Sequence, residues 1–303
     1  MTSPDGDLPE ADTLTAAVYT NGFRALQPAI GSTGYRTHPF RQDALRLASD
    51  EGRVAETFLV NSRLRRRDAE FEASVGLFLS EAGNSLASAA DRRTDDVDAV
   101  VLPPVRALPM ALGAAFAQRR SVRSYTGEPV PLADVACLAA AAAGVTSDSP
   151  HQPGPFRAVP SAGALYPVEV VLVALRVTGL PTGVYTYDPR PHRLNPRGGD
   201  AMVAAVLSGM AVSTELLMWD RACLLLLLVG RPWRSMRKYG ARGMRHVFLE
   251  AGAMAEHVHL AATALGLGSV DCSSVYDDEA HEALGMDGLY EALLHVVVVG
   301  SEG

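Results

Sequence analysis

The 303-residue sequence predicts a globular α+β or α/β domain of catalytic type, an apolar sheet covered by helices, and three observations carry that expectation. Three continuous apolar runs, "VEVVLVALRV" (168–177), "CLLLLLVG" (223–230) and "EALLHVVVVG" (291–300), have the length and composition of strands buried on both faces. Two stretches rich in small residues, "PLADVACLAAAAAGV" (131–145) and "RHVFLEAGAMAEHVHLAATALGL" (245–267), have helical length and helical stop signals. With 48% hydrophobic and 20% charged residues, the chain has enough apolar material for one large or two ordinary domains.

Taken in order, residues 1 to about 15 form a disordered acidic lead, since they are polar and carry few groups able to anchor them. The pattern turns helical from about 40 to about 90. There "DAEFEASVGLFLSEAG" (68–83) sets Phe71, Val75, Phe78 and Leu79 at helical spacing, with Gly83 as a C-cap. Charges and prolines mix in "AADRRTDDVDAVVLPPVRALP" (89–109), which places a boundary near 107/108: an N-terminal, mainly helical extension, residues 1–107, and a catalytic domain, 108–303. "MALGAAFAQRRSVRSY" (110–125) is a helix running into a loop. The helix at 131–145 is opened by Pro131 and closed by Gly144. A strand at 168–177 follows, then "GVYTYDPRPHRL" (183–194), a strand with an Asp-Pro turn. The buried strand at 222–230, the longest helix, closed by Gly266, and a final central strand at 291–300 complete the order; no internal repeat interrupts it.

Several function classes drop out. A formal charge of −7 argues against general nucleic-acid binding, although a local basic patch can still grip a phosphate. Cys137, Cys223 and Cys272 are few, odd in number and far apart, so neither a zinc site nor a disulfide framework follows and a reducing cytoplasm is expected. The polar start "MTSPDGDLPEAD" is no signal peptide, and the longest apolar run is too short to span a bilayer. His257 and His259 are separated by one residue on a helix and point apart, while His246 and Glu250 have i, i+4 spacing but no third ligand; they read as a local contact, and no metal is expected.

Four stretches can carry chemistry. "AQRRSVRSYTGEPV" (117–130) puts the guanidiniums of Arg119, Arg120 and Arg123 and the Ser121 hydroxyl at a helix end. That set suits a phosphate monoester, or else complements the dipole of its own helix. "PSAGALYPVEVVLV" (160–173) brings Ser161, Ala162 and Gly163 just before a strand, where small residues let backbone approach a flat ligand; an ordinary tight loop is the other reading. "ATALGLGSVDCSS" (262–274) leads a small-residue helix end into a strand without the GxGxxG spacing of a dinucleotide fold. Last, "RSMRKYGARGMRHVFLEAG" (234–252) crowds Arg234, Arg237, Arg242 and Arg245 around a single lysine, Lys238, next to Tyr239. Arginine keeps its charge, whereas lysine can release its proton. A solvated or salt-bridged surface is the competing reading of this stretch.

In their serial order, RRSVRSY, PSAGALYPVEV, GVYTYDPRPHRL and LEAGAMAEHVHLAATALGLGS resemble the flavin-dependent nitroreductase superfamily over about residues 108–300, and specifically its SagB/McbC-type azoline dehydrogenase branch. The resemblance implies a nitroreductase-like α+β fold with a central, mainly antiparallel sheet flanked by helices. The segment "ETFLVNSRLRRRDAEFEASVGLFL" (56–79) looks like the extra N-terminal region of thiazole-forming members. Within it "NSRLRRRD" (61–68) either meets an acidic leader peptide or partner enzyme, or solvates a helix.

What the resemblance implies for the site falls on matched positions. Lys238 and Tyr239 match the Lys-Tyr signature of that branch and would be catalytic. Arg119, Arg120, Ser121 and Arg123 would hold the phosphate and ribityl chain of FMN. Ser161, Ala162 and Gly163 would pack by backbone on the flavin ring, from the other subunit of a homodimer, and Ser273 and Ser274 would face the reactive flavin nitrogen. Serines replace common glycines there, and "VVVVGSEG" lacks the basic residue many relatives carry after the last strand. The implied reaction is FMN-dependent oxidation of a thiazoline or oxazoline to the azole in a ribosomally made precursor peptide, with a cyclodehydratase complex as partner. A nicotinamide-dependent nitro- or quinone reductase and a non-catalytic flavin-binding scaffold are the alternatives. In the azoline reaction a base takes the proton from the carbon bearing the peptide carbonyl and hydride leaves the neighbouring carbon. Burial and the nearby arginines are expected to hold Lys238 as the neutral amine such a base requires.

Overall fold

The computed structural model describes residues 58–64, 69–78, 98–147 and 155–302. The chain divides into two compact units, residues 1–67 and 68–303. In the first, residues 58–61 form a helical turn. The expected acidic lead, most of the 40–90 helical region, the Gly83 cap and the basic residues 65–67 lie outside the described residues.

The second unit contains α1 (Ala69–Phe78), β1 (Val100–Val101), α2 (Leu112–Gln118), β2 (Val130–Pro131), α3 (Leu132–Ala143), β3 (Val145–Ser147) and β4 (Phe156–Arg157). There follow β5 (Val168–Ala174), β6 (Val177–Thr178), β7 (Gly183–Asp188), β8 (Arg193–Gly198), α4 (Asp200–Ser208), β9 (Leu224–Gly230) and α5 (Pro232–Tyr239). The order ends with α6 (Gly243–Ala264), β10 (Leu267–Cys272), α7 (Asp277–Leu284) and β11 (Ala292–Ser301). Seven strands form one sheet in the order β1-β8-β7-β5-β9-β11-β10, antiparallel at every step.

The apolar runs are continuous because both faces of the middle strands are covered. Alternate residues Leu224, Leu226 and Leu228 of β9 join Val170, Leu172, Val297 and Val299 against Leu138 of α3 and Met254 and Val258 of α6. Their neighbours Leu225, Leu227 and Val229 join Val171, Val173, Val296 and Val298 against Val203 and Val206 of α4 and Leu284 of α7. A two-residue period with apolar side chains on both faces gives helix–sheet–helix layers. Each fully buried leucine contributes about 1.5–3 kcal/mol.

Several expectations need adjustment. The strand expected at 168–177 ends at Ala174, and Val177 instead pairs in parallel with Val130. The segment 183–194 is a hairpin, β7 turning into β8, with His192 at a φ of 50°. β8 was hidden because "RLNPRG" carries charges and Pro196. The final strand lies one place in from the edge, between β9 and β10. The helix at 131–145 has the expected limits, with Pro131 at its N-cap and Gly144 at its C-cap. Cys137, Cys223 and Cys272 are buried and free. Among the described residues no helix is long and apolar enough to cross a membrane.

Candidate active site

The basic stretch 234–252 is not one helix N-terminus. It is the end of a short helix, α5, a tight 3-10 turn at Gly240–Arg242, and the start of α6. α5 opens with Pro232 in its first turn, where the missing N–H costs nothing, and buries Ser235 and Lys238 on one face. Lys238 retains 9% of its exposure, and this burial lowers the pKa of its ammonium below the ordinary lysine value. Burial has the opposite effect on the adjoining phenol, raising the pKa of Tyr239. Both shifts favour a neutral amine beside a neutral phenol. The lysine nitrogen lies 5.4 Å from the Tyr239 ring centroid, and His246 meets the same ring edge-on at 5.0 Å. The carbonyl of Lys238, at the end of α5, accepts a hydrogen bond from the Ser74 hydroxyl of α1 at 2.8 Å.

Of the two expected causes, burial and neighbouring arginines, burial is the one that lowers the Lys238 pKa in the structure. Arg234 is instead committed to Glu169 at 2.7 Å and to the carbonyl of Tyr166 at 3.2 Å, and Arg237 donates to the Trp233 carbonyl.

The segment ending in Tyr166 brings the second group of expected residues to this pair. Gly163, Ala164 and Tyr166 all have positive φ, 65°, 52° and 45°. For Ala164 and Tyr166 that conformation costs roughly 1–2 kcal/mol each, so the surroundings must hold the loop. The Tyr166 amide donates to the Ser161 hydroxyl at 2.9 Å, its phenol accepts from the Arg157 amide at 3.0 Å, and the Arg157 guanidinium stacks 4.4 Å over its ring. The result is a bare backbone at Gly163 facing the Lys238 and Tyr239 side chains. A Cβ at Gly163 would lie 2.8 Å from the Lys238 nitrogen and 2.6 Å from the Tyr239 oxygen. Ser161, Ala162, Gly163, Lys238 and Tyr239 therefore belong to one constellation.

Behind the loop stands Glu250 of α6, only 3% exposed. One of its oxygens accepts from the Val168 amide at 3.4 Å, while Oε2 is buried with no well-formed hydrogen bond. Burial pushes its pKa up to about 7 against the opposing pull of the Ser161 hydroxyl, the Val168 amide, Arg157 and Arg234. The expected His246–Glu250 contact is replaced: His246 meets the Tyr239 ring and Glu250 takes the Val168 amide. Sequence reasoning missed Glu250, Arg157 and Tyr166. For Glu250 a signal existed, since it occupies the apolar stripe of α6 between Val247 and Met254.

The arginine segment lies elsewhere. It runs as a strap along β10, where Ser121 bridges Ser269 and the Val122 amide donates to the Ser269 carbonyl at 3.0 Å. The contact requires glycine at 268, where a Cβ would fall 2.6 Å from Val122. Arg120 donates to the Ala117 and Arg119 carbonyls, so it complements its own helix end. Arg123 makes a long bond to the Ser121 carbonyl at 3.4 Å. Among the described residues no carboxylate pairs with Arg119, Arg120 or Arg123. Ser273 and Ser274 follow β10 and are exposed, four to five residues from Ser269, or about 13–16 Å of extended chain. The strap and the serines thus share the C-terminal end of α6 and the strand leaving it, whereas Lys238 sits at its N-terminal end. The 22 residues of α6 separate the two groups by about 30 Å.

Three further histidines, His257, His259 and His295, bond within the fold. His257 meets the Ala141 carbonyl, and His259 lies between Ser269 at 2.8 Å and Asp271 at 2.9 Å. His295 reaches the same Asp271 oxygen at 2.6 Å, and the two imidazoles hold that carboxyl well below its usual range. Among the described residues no group of three or more His, Cys, Asp or Glu is placed to hold a metal ion.

Comparison with known proteins agrees with this architecture. The Nitroreductase family profile matches residues 116–301. A protein of Methanocaldococcus jannaschii described as a nitroreductase is 37% identical over 171 residues, 55% of this chain and 80% of that protein. Among solved structures, a protein from Ralstonia eutropha JMP134 described as a nitroreductase has a TM-score of 0.57 at 26% identity, covering 70% of this chain and 94% of its own. The Escherichia coli microcin synthetase McbBCD complex, solved with truncated pro-MccB17 bound, contains a chain with a TM-score of 0.52 at 18% identity. That likeness of fold spans 98% of this chain and 95% of the other. The match over residues 116–301, most of the chain, makes the protein a member of the nitroreductase family.

Proposed function

We propose that the protein is an FMN-dependent azoline dehydrogenase, converting thiazolines or oxazolines in a ribosomally made peptide to thiazoles or oxazoles. The observation that carries this reading is the buried Lys238 amine beside the Tyr239 phenol, both against the bare Gly163 backbone. A likeness of fold across nearly the whole chain to a subunit of a microcin synthetase complex supports it, as does that complex's bound peptide for a peptide substrate and a biosynthetic partner such as a cyclodehydratase.

The donors available fit FMN. Arg119 and Arg123, unpaired with carboxylates among the described residues, would take its phosphate, with the Ser121 hydroxyl beside them. Arg120 would contribute through charge while capping α2. Ser273 and Ser274, exposed just beyond β10, would face the flavin ring. Ser161, Ala162 and Gly163 would cover the ring by backbone. Since strap and lysine lie about 30 Å apart in one chain, each site would combine the strap of one protomer with the Lys238 loop of its partner in a homodimer.

FMN, once bound, supplies the two-electron acceptor. Lys238, its pKa lowered by desolvation, takes the proton as the neutral amine from the carbon bearing the peptide carbonyl and becomes an ammonium. Tyr239, held protonated by the same burial, donates a hydrogen bond to the negative charge that develops. The closed loop keeps Lys238 from water, which would otherwise restore its proton. The substrate loses one proton to Lys238 and one hydride to the acceptor, two daltons in all.

The test is direct. Purified protein should carry a flavin absorption spectrum and form azole, read as the two-dalton loss. Lys238→Ala should retain flavin and lose about 10²–10⁴-fold in rate. Lys238→Arg should be nearly as poor, because a guanidinium keeps its proton; an active arginine variant overturns the base assignment. The 37% identical relative described as a nitroreductase favours a second reading, a nicotinamide-dependent nitro- or quinone reductase. Turnover of nitroaromatics with NADPH, and none of azoline peptides, would select it. Azole formation undiminished in both Lys238→Ala and Tyr239→Phe would instead indicate a scaffold.

A further inference from the structure

We propose that Arg234 is a positioning residue of this site: its guanidinium ties α5, which carries Lys238, to the Tyr166 end of the loop that carries Gly163, and so sets how the lysine amine meets that backbone. The inference rests on the reading of Lys238 as the reactive amine. Arg234 and Lys238 stand four residues apart in α5, one turn from each other on the same side of the helix. One terminal nitrogen of the guanidinium, Nη1, donates to the Tyr166 carbonyl at 3.2 Å, and the other, Nη2, donates to Glu169 Oε1 of β5 at 2.7 Å. A planar fork that holds two acceptors on different segments fixes direction as well as distance. Three residues earlier, the Arg231 amide at the N-cap of α5 donates to the Pro167 carbonyl at 2.7 Å. The start of α5 is therefore bound to Tyr166, Pro167 and Glu169, and Lys238 meets Gly163 from the following turn.

The loop needs such a hold. Ala164 and Tyr166 adopt positive φ, 52° and 45°, and these conformations persist only where the surroundings impose them. Tyr166 is bonded at its amide, its phenol and its carbonyl. The amide donates to Ser161 Oγ at 2.9 Å within the loop, and the phenol accepts from the Arg157 amide at 3.0 Å. Of these three bonds, the one to the carbonyl comes from the helix that bears the lysine. The Arg234 and Glu169 side chains keep only 13% and 11% of their exposure, so water competes weakly for the bond that steadies the fork. Arg231 also approaches Glu169, its Nε 3.1 Å from the same oxygen, but it is poorly aligned for a hydrogen bond. From there the charges continue to Glu291, which Arg231 meets at 3.2 Å and Arg197 of β8 at 3.7 Å. Arg197 thus joins the same network at the end remote from the loop.

Lys238 is the only lysine in the chain, so an amine reagent reads this position and the N-terminus alone. Full-length wild type, Arg234→Met, Arg234→Lys and Arg197→Met are trace-labelled with acetic anhydride, each checked for native circular dichroism and melting temperature in the same buffer. At about pH 10.4, the ordinary lysine value, a change in ionisation alters the rate by no more than about twofold. Modification of Lys238 is quantified by mass spectrometry and localised by fragmentation. Arg234→Met keeps the aliphatic bulk and drops both bonds; it should raise labelling about tenfold, as the loop opens more often. Arg234→Lys keeps the charge but lacks the fork, and should raise it about threefold or more. Arg197→Met should stay within about twofold of wild type even where it melts lower. Labelling of Arg234→Met within about twofold of wild type overturns the proposal. So does a wild-type rate in Arg234→Lys, which makes charge alone the cause, or an equal rise in Arg197→Met, which makes general loss of stability the cause. Should Arg234→Met fail to fold, Arg234→Lys against wild type decides by the same criterion. Because no azoline is used, the labelling pattern can hold while peptide oxidation fails, or the reverse, and the two conclusions are tested apart.

Discussion

Gly163→Ala examines the site where the structure is most demanding. The added methyl carbon would stand 2.8 Å from the Lys238 nitrogen and 2.6 Å from the Tyr239 oxygen. Ordinary contact is about 3.5 Å, so the two heteroatoms must withdraw by about 0.7 and 0.9 Å. Both are tips of flexible side chains, and the withdrawal itself costs little stability. The left-handed backbone at φ 65° adds roughly 1–2 kcal/mol for alanine. The functional cost is larger, because the displaced atoms are those proposed to handle the proton; a misplacement near 1 Å lowers a rate by about 10²-fold. The variant should therefore melt only slightly below wild type, retain flavin, and form azole about 10²-fold more slowly. Denaturant unfolding, the flavin spectrum and the two-dalton mass change measure these three quantities on the same preparation. A Gly163→Ala protein that oxidises azoline within about twofold of the wild-type rate would refute the placement of Lys238 and Tyr239 against this backbone.

Three further outcomes follow from the same geometry. Removing Arg119 and Arg123 together should lower flavin occupancy with the fold intact, each charge-assisted phosphate contact being worth about 1.5–3 kcal/mol; unchanged occupancy excludes them as the phosphate site. Glu250 has a folded-state pKa raised from 4.5 to about 7, so the fold binds its proton more tightly than the unfolded chain does. Its contribution is fully present below about pH 4.5 and is lost as pH rises through about 7, to the extent of about 3 kcal/mol, and Glu250→Gln should remove this part of the slope in a stability–pH curve. Asp271, whose pKa is depressed by two histidines, runs the other way: its contribution is present above the ordinary aspartate range and lost on acidification. Because the carboxyl is more than half exposed, Asp271→Asn should cost only about 1 kcal/mol at neutral pH by thermal or denaturant melting.

The sheet was legible because burial on both faces removes polar residues from β5, β9 and β11, leaving runs that no surface element would carry. β8 was not, since near the edge of the sheet it tolerates Arg193, Pro196 and Arg197. α5 escaped notice for a related reason: eight residues, five of them basic or hydroxyl-bearing, carry too few apolar side chains to separate from α6. Lys238 and Tyr239 could be singled out by their motif, but the cause of the lysine's lowered pKa could not. Arginines close in sequence suggested repulsion, whereas in space Arg234 pairs with Glu169 and burial lowers the lysine pKa. Glu250 illustrates the limit of spacing. An i, i+4 partner was visible on its own helix, yet the side chain takes the Val168 amide, 82 positions away in sequence. Nothing local announces that Ser74 closes the end of α5, because that bond joins residues 164 positions apart.

The length of α6 also governs how damage to the protein would be inherited in a mixed population. With the strap and the lysine at opposite ends of a 22-residue helix, a chain that has lost one retains a sound copy of the other. In the proposed homodimer, two proteins, Lys238→Ala and Arg119→Ala/Arg123→Ala, each inactive alone, would complement one another after exchange of protomers. In a hybrid dimer one pocket receives both intact halves and the other receives both defects. Equal mixing makes half the dimers hybrid, so recovery should plateau at about a quarter of the wild-type sites, titrating with subunit exchange rather than with added cofactor.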